Sequence, residues 1–408
     1  MWKMPVLVDM TPPTVLGAAY LTTRAFQGED MERLATRVSR HPTLAARLHD
    51  AALMERLCFR PERADEFQAQ ALALSPVFRV VGRADGRLRV LAVMLPGDMM
   101  VNTPLDFMLG EADVRLDLFY YQPGQPLPAT LPDHDIAVFA AADSTPSVCA
   151  QLQAVFDAWP RPAINAPRWV PGLERDALSA ALAGIDSICS PPAQRVRRAA
   201  LSAALDFGAG AHLVRPAGTH AGHGLARIAT QAELAAYLAE ATADIYYVTR
   251  FVDYRSADGF YRKYRIAFID RAPFLCHMAV SEHWMIHYLN AGMTESAAKR
   301  AEEAAAMAQF RTGFARRHAA AFDALNDVIG LDYHSIDCGE MADGRLLVFE
   351  ADNAAIIHMM DPPELFPYKR PQMQRVFAAF YAMLERRCNR PRQPIENRSL
   401  SYLADAPA

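Results

Sequence analysis

Apolar positions change their spacing along the chain, and each change predicts a different architecture. From Thr14 to about Ser75 they recur at helical intervals among alanines and leucines. Breaks at His41-Pro42 and Arg60-Pro61 divide this stretch into three or four short helices. From Arg87 the pattern becomes strand-like. Leu88 to Leu95 is an apolar run closed by Pro96-Gly97-Asp98, followed by a helix over Thr103 to Leu109 and buried strands over Val114 to Tyr121 and Asp135 to Ala140. Strands separated by helical stretches predict an α/β layer with a parallel sheet. A helix is predicted from Glu174 to Ala183 and another from about Val196 to Asp206, on either side of a break at Pro191-Pro192.

A further texture spans His212 to Asp270. A strand at Leu213 to Pro216, a glycine-bearing loop at Gly218 to Gly224, a helix at Ala232 to Ala241 and a strand at Ile245 to Val252 predict a small α+β lobe able to close over a ligand. The divisions that follow are a helical amino-terminal module over 1–84, an α/β domain over 85–190, a lid lobe over 191–265 and a carboxyl-terminal lobe over 266–408.

The 408 residues, 52% apolar and 22% charged, are enough for a large core and two or three domains. A net charge of -4 gives no global attraction to nucleic acid or anionic membrane, so neither is an expected partner. No apolar run approaches the ~18 residues of a membrane span, and MWKMPVLVDMTPPTV lacks a charged segment ahead of an apolar core, so a cytoplasmic protein is expected. Six dispersed cysteines without a CxxC pair predict reduced thiols. Cys338, on an apolar strand beside Asp337, is expected to have a raised pKa.

Candidate chemistry concentrates between Gly330 and Met360. Asp337 precedes Glu350 by thirteen positions, and Met341 to Arg345 reads as a turn, so two antiparallel strands should bring the carboxylates together. The run Leu346 to Phe349 predicts a strand buried on both faces that leads into Glu350, Asp352 and Asn353. Charges at the end of a buried strand need a partner, and converging hard oxygens suit magnesium. Glycines in the Gly218 to Gly224 loop allow close backbone approach to phosphate, with Arg215 as a fixed cation nearby; the same loop also reads as an ordinary surface turn. No Walker or dinucleotide fingerprint is present. Tyr246 to Val252 reads either as a core strand or as one whose backbone pairs with an adenine edge, and Arg265 lies on an alternating strand facing the cleft of Asp337. His283 and His287, four apart, would share a helix face and form a zinc pair only with a third ligand; a core or substrate-lining role is the other reading.

In order and spacing, Asn165 with the helix bearing Arg175, the Arg215 strand, the glycine loop, the Phe251-Val252 hinge, the Arg262-Lys263-Tyr264-Arg265 strand and the Asp337, Glu350, Asp352 set resemble the ATP-grasp superfamily over about residues 88 to 385. The resemblance implies an ATP-grasp fold with a preceding parallel-sheet domain, a mobile central lobe and ATP held between that lobe and the last. It places Arg175, Arg215, Gly222, Gly224, Arg250, Phe251, Val252, Asp258 and Lys263 around ATP. It also puts Asp337, Glu350, Asp352 and Asn353 at Mg²⁺, and Arg265 and Arg262 in catalysis. Three departures are visible. Asp352 replaces an asparagine, Arg215 replaces a lysine, and Ser335 stands where many members carry an arginine, a role Arg265 or His287 could take.

The implied reaction activates a carboxylate as an acyl phosphate and couples it to an amine, with ADP and phosphate released and small-molecule or peptide substrates. A homodimer is compatible with it. A kinase or other phosphoryl transferase on the same scaffold, and a non-catalytic nucleotide-binding protein, are the alternatives.

Overall fold

The computed structural model describes residues 4–82, 85–219 and 222–388. It is a mixed α/β protein with parallel and antiparallel sheets. Four helices, Gly17–Phe26, Met31–Ser39, Leu44–Leu57 and Pro61–Leu74, occupy the amino-terminal stretch. Asp30 and Thr43 cap the second and third through backbone N–H groups of Glu32 and Ala46. The helices are not a detached module. Ala45, Ala46, Ala71 and Leu72 share a core with Phe78, Val90 and Leu118 of the neighbouring sheet. Buried Asp50 accepts the N–H groups of Leu16 (2.6 Å) and Gly17 (3.3 Å), fixing the start of the first helix.

That sheet has six strands, in the order Thr14–Val15, Val77–Val80, Val114–Tyr120, Leu88–Met94, Ile136–Phe139 and Ala163–Ile164. All pairs are parallel except Val77–Val80 with Val114–Tyr120. Its first two strands fall within the 1–84 division expected to be a helical module.

A four-stranded antiparallel sheet, Ala193–Arg197, Ile245–Arg250, His212–Pro216 and Ala226–Ile228, forms the lobe over the middle of the chain. The sequence reading of a helix from Val196 to Asp206 is corrected here. Ala193–Arg197 is a strand whose register partners are Thr249 to Ile245, and only Leu201–Ala204 is α-helical. Pairing with the Ile245–Arg250 strand holds Val196 and Arg197 extended, so the helix favoured by the following alanines begins only after them.

The third sheet sets the site. Its order is Ala272–Ser281, Tyr261–Ile269, Tyr333–Glu340, Leu346–Asp352 and Ile188–Cys189. One face carries Ile266, Phe268, Ile336, Leu275 and Val348, packed with Phe322 and Leu325 of the Ala319–Ile329 helix. On the other face Ala267, Ile269 and Tyr333 join Val376, Phe377 and Phe380 of the final helix, Lys369–Cys388, in the core of the six-stranded sheet. Two clasps bind this sheet to the first domain. Asn165 donates to Tyr333 O (3.1 Å) and accepts from Tyr333 N–H (2.9 Å), while Asn353 donates to Ala141 O (3.0 Å) and accepts at its carbonyl from the Thr103 hydroxyl (2.6 Å). No helix among the described residues is long and apolar enough to cross a membrane.

Candidate active site

Two residues before Ala267 the face that packs on the final helix turns polar. Successive side chains on one face of a strand lie two apart, so Arg265 and Lys263 continue the line of Ile269 and Ala267 beyond the apolar cover. Register then assembles a row across four strands: His277 opposite Arg265, Arg265 opposite Asp337, and Asp337 opposite Glu350. Both outer pairings carry a β-bulge at this level. Cys338 pairs with Val348 and Asp337 with Glu350, so Phe349 is an extra residue; Ile266 pairs with Leu275 and Arg265 with His277, so Cys276 is another. Without the first bulge Glu350, two residues after Val348, would share its apolar face. The bulge turns Glu350 and Asp352 onto the polar side.

Asp337 is 3% exposed. It accepts from Arg265 Nε at 2.8 Å and Nη2 at 2.9 Å, and Lys263 Nζ lies 2.7 Å away. Burial alone would raise its pKa; Arg265 and Lys263 overcome that and hold it well below the usual carboxylate range. Burial likewise opposes ionisation of Glu350, and Arg175, which donates to Glu350, brings its pKa below the ordinary value. Burial and the nearby Arg265 push the His277 imidazole far below its ordinary pKa, so it is neutral. The Cys338 thiol is raised well above its ordinary value, first by burial and then by Asp337, as the sequence predicts.

The lid sheet contributes Arg215, 8% exposed. Burial, then repulsion from Arg175, brings its pKa down to about 10, with Glu350 opposing. Arg215 therefore shares the field of Arg175 and Glu350. Its guanidinium donates to Thr219 O, closing the first half of the glycine loop, while its Nε is buried without a hydrogen-bond partner among the described residues. Gly224 has φ +66°, and a Cβ there would stand 2.8 Å from Pro216, so this position requires glycine; Gly222 also has positive φ, at +74°. His220 and Ala221 of the loop lie outside the described residues. Phe251 and Val252 join the lid strand Ile245–Arg250 to Tyr261–Ile269 and so occupy the junction between lobes, with the Phe251 N–H bonded to Ala211 O at 2.9 Å. Arg250 ends its strand, exposed, opposite His212.

Other candidates stand apart from the row. Arg262 is on the opposite face of its strand from Arg265, paired to Asp258 (2.6 Å) and to Glu302. Asp258 is committed to that pair. His283 and His287 follow the Ala272–Ser281 strand in a loop rather than a helix, which removes the shared helix face of a zinc pair.

For a bound cation the donor chemistry fits. Asp337 and Glu350 are ionised hard-oxygen ligands on one face, Asp352 is two residues from Glu350 on that face, and Asn353 Oδ1 is buried without a hydrogen-bond partner among the described residues. Among the described residues no three His, Cys, Asp or Glu side chains are gathered as a metal-holding group; the two row carboxylates face Arg265, Lys263 and Arg175 instead.

One cluster had no sequence signal. Beyond His277, buried Lys369 and Glu303 form a network with half-buried Tyr288, Tyr368 and Asp361, from four separate segments. No spacing rule connects residues so far apart in the chain.

No family model matches this chain, and no curated protein does. Among solved structures it is similar to a RimK domain protein ATP-grasp from Sphaerobacter thermophilus DSM 20745, with 15% identity over 73% of this chain and 99% of that one and a TM-score of 0.44. It is also similar to D-alanine–D-alanine ligase from Bacillus anthracis complexed with ATP, with 12% identity over 74% and 98% and a TM-score of 0.43. Both are ATP-grasp proteins. Likeness at this level says nothing about substrate or activity.

Proposed function

We propose that this chain is an ATP-dependent ligase of the ATP-grasp type, activating a carboxylate as an acyl phosphate and coupling it to an amine. The observation that carries the reading is the row Arg265–Asp337–Glu350 with its flanking cations. Lys263, Arg265, Arg175 and Arg215 face three carboxylates, Asp337, Glu350 and Asp352, and Arg215 also bonds Thr219 in the glycine loop. An excess of fixed cations beside a loop of accessible amides suits a polyphosphate, and the carboxylates suit its counter-ion. Asp337, Glu350, Asp352 and Asn353 would hold Mg²⁺, which when bound neutralises charge on the β- and γ-phosphates.

The protein's own groups would act by position and charge. Arg215 and the amides around Gly222 and Gly224 would bind phosphate oxygens from the lid side, and the Phe251-Val252 junction would let the lid close. Arg265, fixed by two hydrogen bonds to buried Asp337, would direct its remaining N–H donors at the oxyanion of the acyl group, supplying the cation absent at Ser335. No protein nucleophile is required. Neutral His277, next in the row, adds no charge of its own.

Incubating the protein with Mg-ATP and pooled amino acids, peptides and small carboxylates, and following ADP together with new masses, tests this reading. Ligation requires ADP whose release depends on both an acid and an amine, and a product lighter than their sum by one water. A stable phosphorylated product would assign a kinase instead.

A further inference from the structure

Glu174 opens the Arg175–Ala181 helix, yet its side chain makes no capping bond to it. The carboxylate instead accepts the Ser144 hydroxyl from the first domain and, from the lid, the Tyr247 hydroxyl and Arg195 Nη2 at 2.9 Å. The next residue, Arg175, donates to Glu350 in the row. The start of this short helix thus ties the first domain, the lid sheet and the third sheet together.

Register shows what the tie holds. Arg195, Tyr247 and Arg215 stand opposite one another on three adjacent lid strands, so they share one face. The other face, with Val196, Val214, Tyr246 and Val248, packs on Leu234 of the lid's own helix, Gln231–Glu240. Tyr247 therefore points out of the lid, yet it is only 3% exposed. Its ring centre lies 6.0 Å from the Arg175 guanidinium and 5.2 Å from that of Arg195, and its hydroxyl is on Glu174. Burial, and then the bond to Glu174, push the phenol above its ordinary pKa, so it stays a donor. Two further contacts dock the same lid strand on the helix: Arg195 pairs with Asp176 at 2.9 Å, and the Ala193 N–H donates to the Ser179 hydroxyl at 2.9 Å. Arg215, third in the line, is the lid cation in the field of Arg175 and Glu350. Its strand is bonded directly to that of Tyr247, so where Tyr247 is pinned decides how far Arg215 stands from Glu350.

We propose that Glu174 is a positioning residue: through Tyr247 and Arg195 it latches the lid sheet onto the Arg175–Ala181 helix and so holds Arg215 within the field of Glu350 before any ligand arrives. The latch stands without the ligase reading above; its effect on Mg-ATP rests on that reading. A lid released from the latch is competent for only part of the time, and apparent affinity falls by that fraction.

The test compares the full chain with Glu174→Ala, which removes the carboxylate, and Glu174→Gln, which keeps an acceptor for the two hydroxyls and loses the ion pair. Hydrogen–deuterium exchange without nucleotide reads the latch through peptides over 190–197, which contain the Ala193 amide bonded to Ser179. In Glu174→Ala these should exchange about tenfold faster, the scale of one charge-assisted contact, while peptides over Tyr333–Glu340 keep wild-type protection. Mg-ATP affinity, titrated on the same samples, should weaken by a similar factor, and Glu174→Gln should recover part of both losses. If Glu174→Ala does not fold, Tyr247→Phe, which lacks a single hydroxyl, carries the comparison. Wild-type exchange over 190–197 in a folded variant, or a loss spread equally over Tyr333–Glu340, would overturn the proposal. Faster exchange over 190–197 with unchanged Mg-ATP affinity would overturn it too, since Arg215 would not depend on the latch. Faster exchange when the wild type binds no Mg-ATP keeps the latch and removes the ligase, and unchanged exchange with Mg-ATP binding intact removes the latch alone.

Discussion

Glu350 stands opposite Asp337 because Phe349 is an extra residue in its strand, and the same row is bulged again where His277 meets Arg265. Bulges re-aim side chains where a regular ladder would bury them. Here they place two carboxylates, a guanidinium and a neutral imidazole on one face at the point where the apolar cover of the final helix stops. Glu350→Gln keeps the shape and removes the charge. Turnover to ADP should fall roughly a hundred- to thousandfold, the usual cost of one charge-stabilising contact, with an unchanged circular dichroism spectrum. Near-normal ADP release would remove Glu350 from the chemistry.

Asp337 is nearly inaccessible and answers two cations, so its loss is expected to be structural as well as functional. Asp337→Asn should cost about 3–5 kcal/mol of unfolding free energy, because Arg265 and Lys263 are left without their counter-charge. Combining it with Arg265→Gln should recover part of that loss. A double-mutant cycle from urea melts measures the coupling; additive losses would mean that the pair does not interact as described.

Acid should destabilise the protein well before its carboxylates titrate. Burial pushes the His334 imidazole, stacked 4.8 Å from Phe268, down to about 3. Its folded pKa lies below the unfolded value of about 6.5. Below that pH the unfolded chain therefore binds a proton that the folded chain does not, and stability falls as pH drops from about 6.5 towards 3. Depressed Asp337 and Glu350 add a second loss below the ordinary carboxylate range. Melting temperatures at pH 7.5 and 5 check this: wild type should lose more than His334→Phe over that interval.

Gly330 closes the Ala319–Ile329 helix in the left-handed region at φ +67°, and a Cβ there would lie 2.5 Å from the Trp169 ring. Gly330→Ala should destabilise by at least about 2 kcal/mol through backbone conformation and collision together. Chemical denaturation reads this directly, and a loss under about 0.5 kcal/mol, the range of ordinary surface changes, would contradict it.

Legibility followed locality. The Asp337–Glu350 pairing was readable because a turn at Met341 to Arg345 fixes two adjacent strands, and Arg265 was readable because alternation assigns a face. Arg262 shows the limit of the same rule: three residues before Arg265, it belongs to the other face and pairs with Asp258 and Glu302. The bulges were invisible, since one extra residue leaves no compositional mark. The Ala193–Arg197 strand was hidden by the helix-favouring alanines that follow it, because its strand state depends on a partner some fifty residues away. The Lys369 network arises only when segments spread over residues 288–369 meet, a contact no local pattern encodes.

The row Arg265–Asp337–Glu350 is expected to bind a metal-complexed triphosphate. A structure with Mg²⁺ and a non-hydrolysable ATP analogue tests it most directly. The triphosphate should lie between Arg215 and Lys263, under the Gly222–Gly224 loop, with Mg²⁺ coordinated by Asp337 and Glu350. A nucleotide bound elsewhere, or one bound here while both carboxylates remain paired to Arg265 and Arg175 without metal, would contradict it.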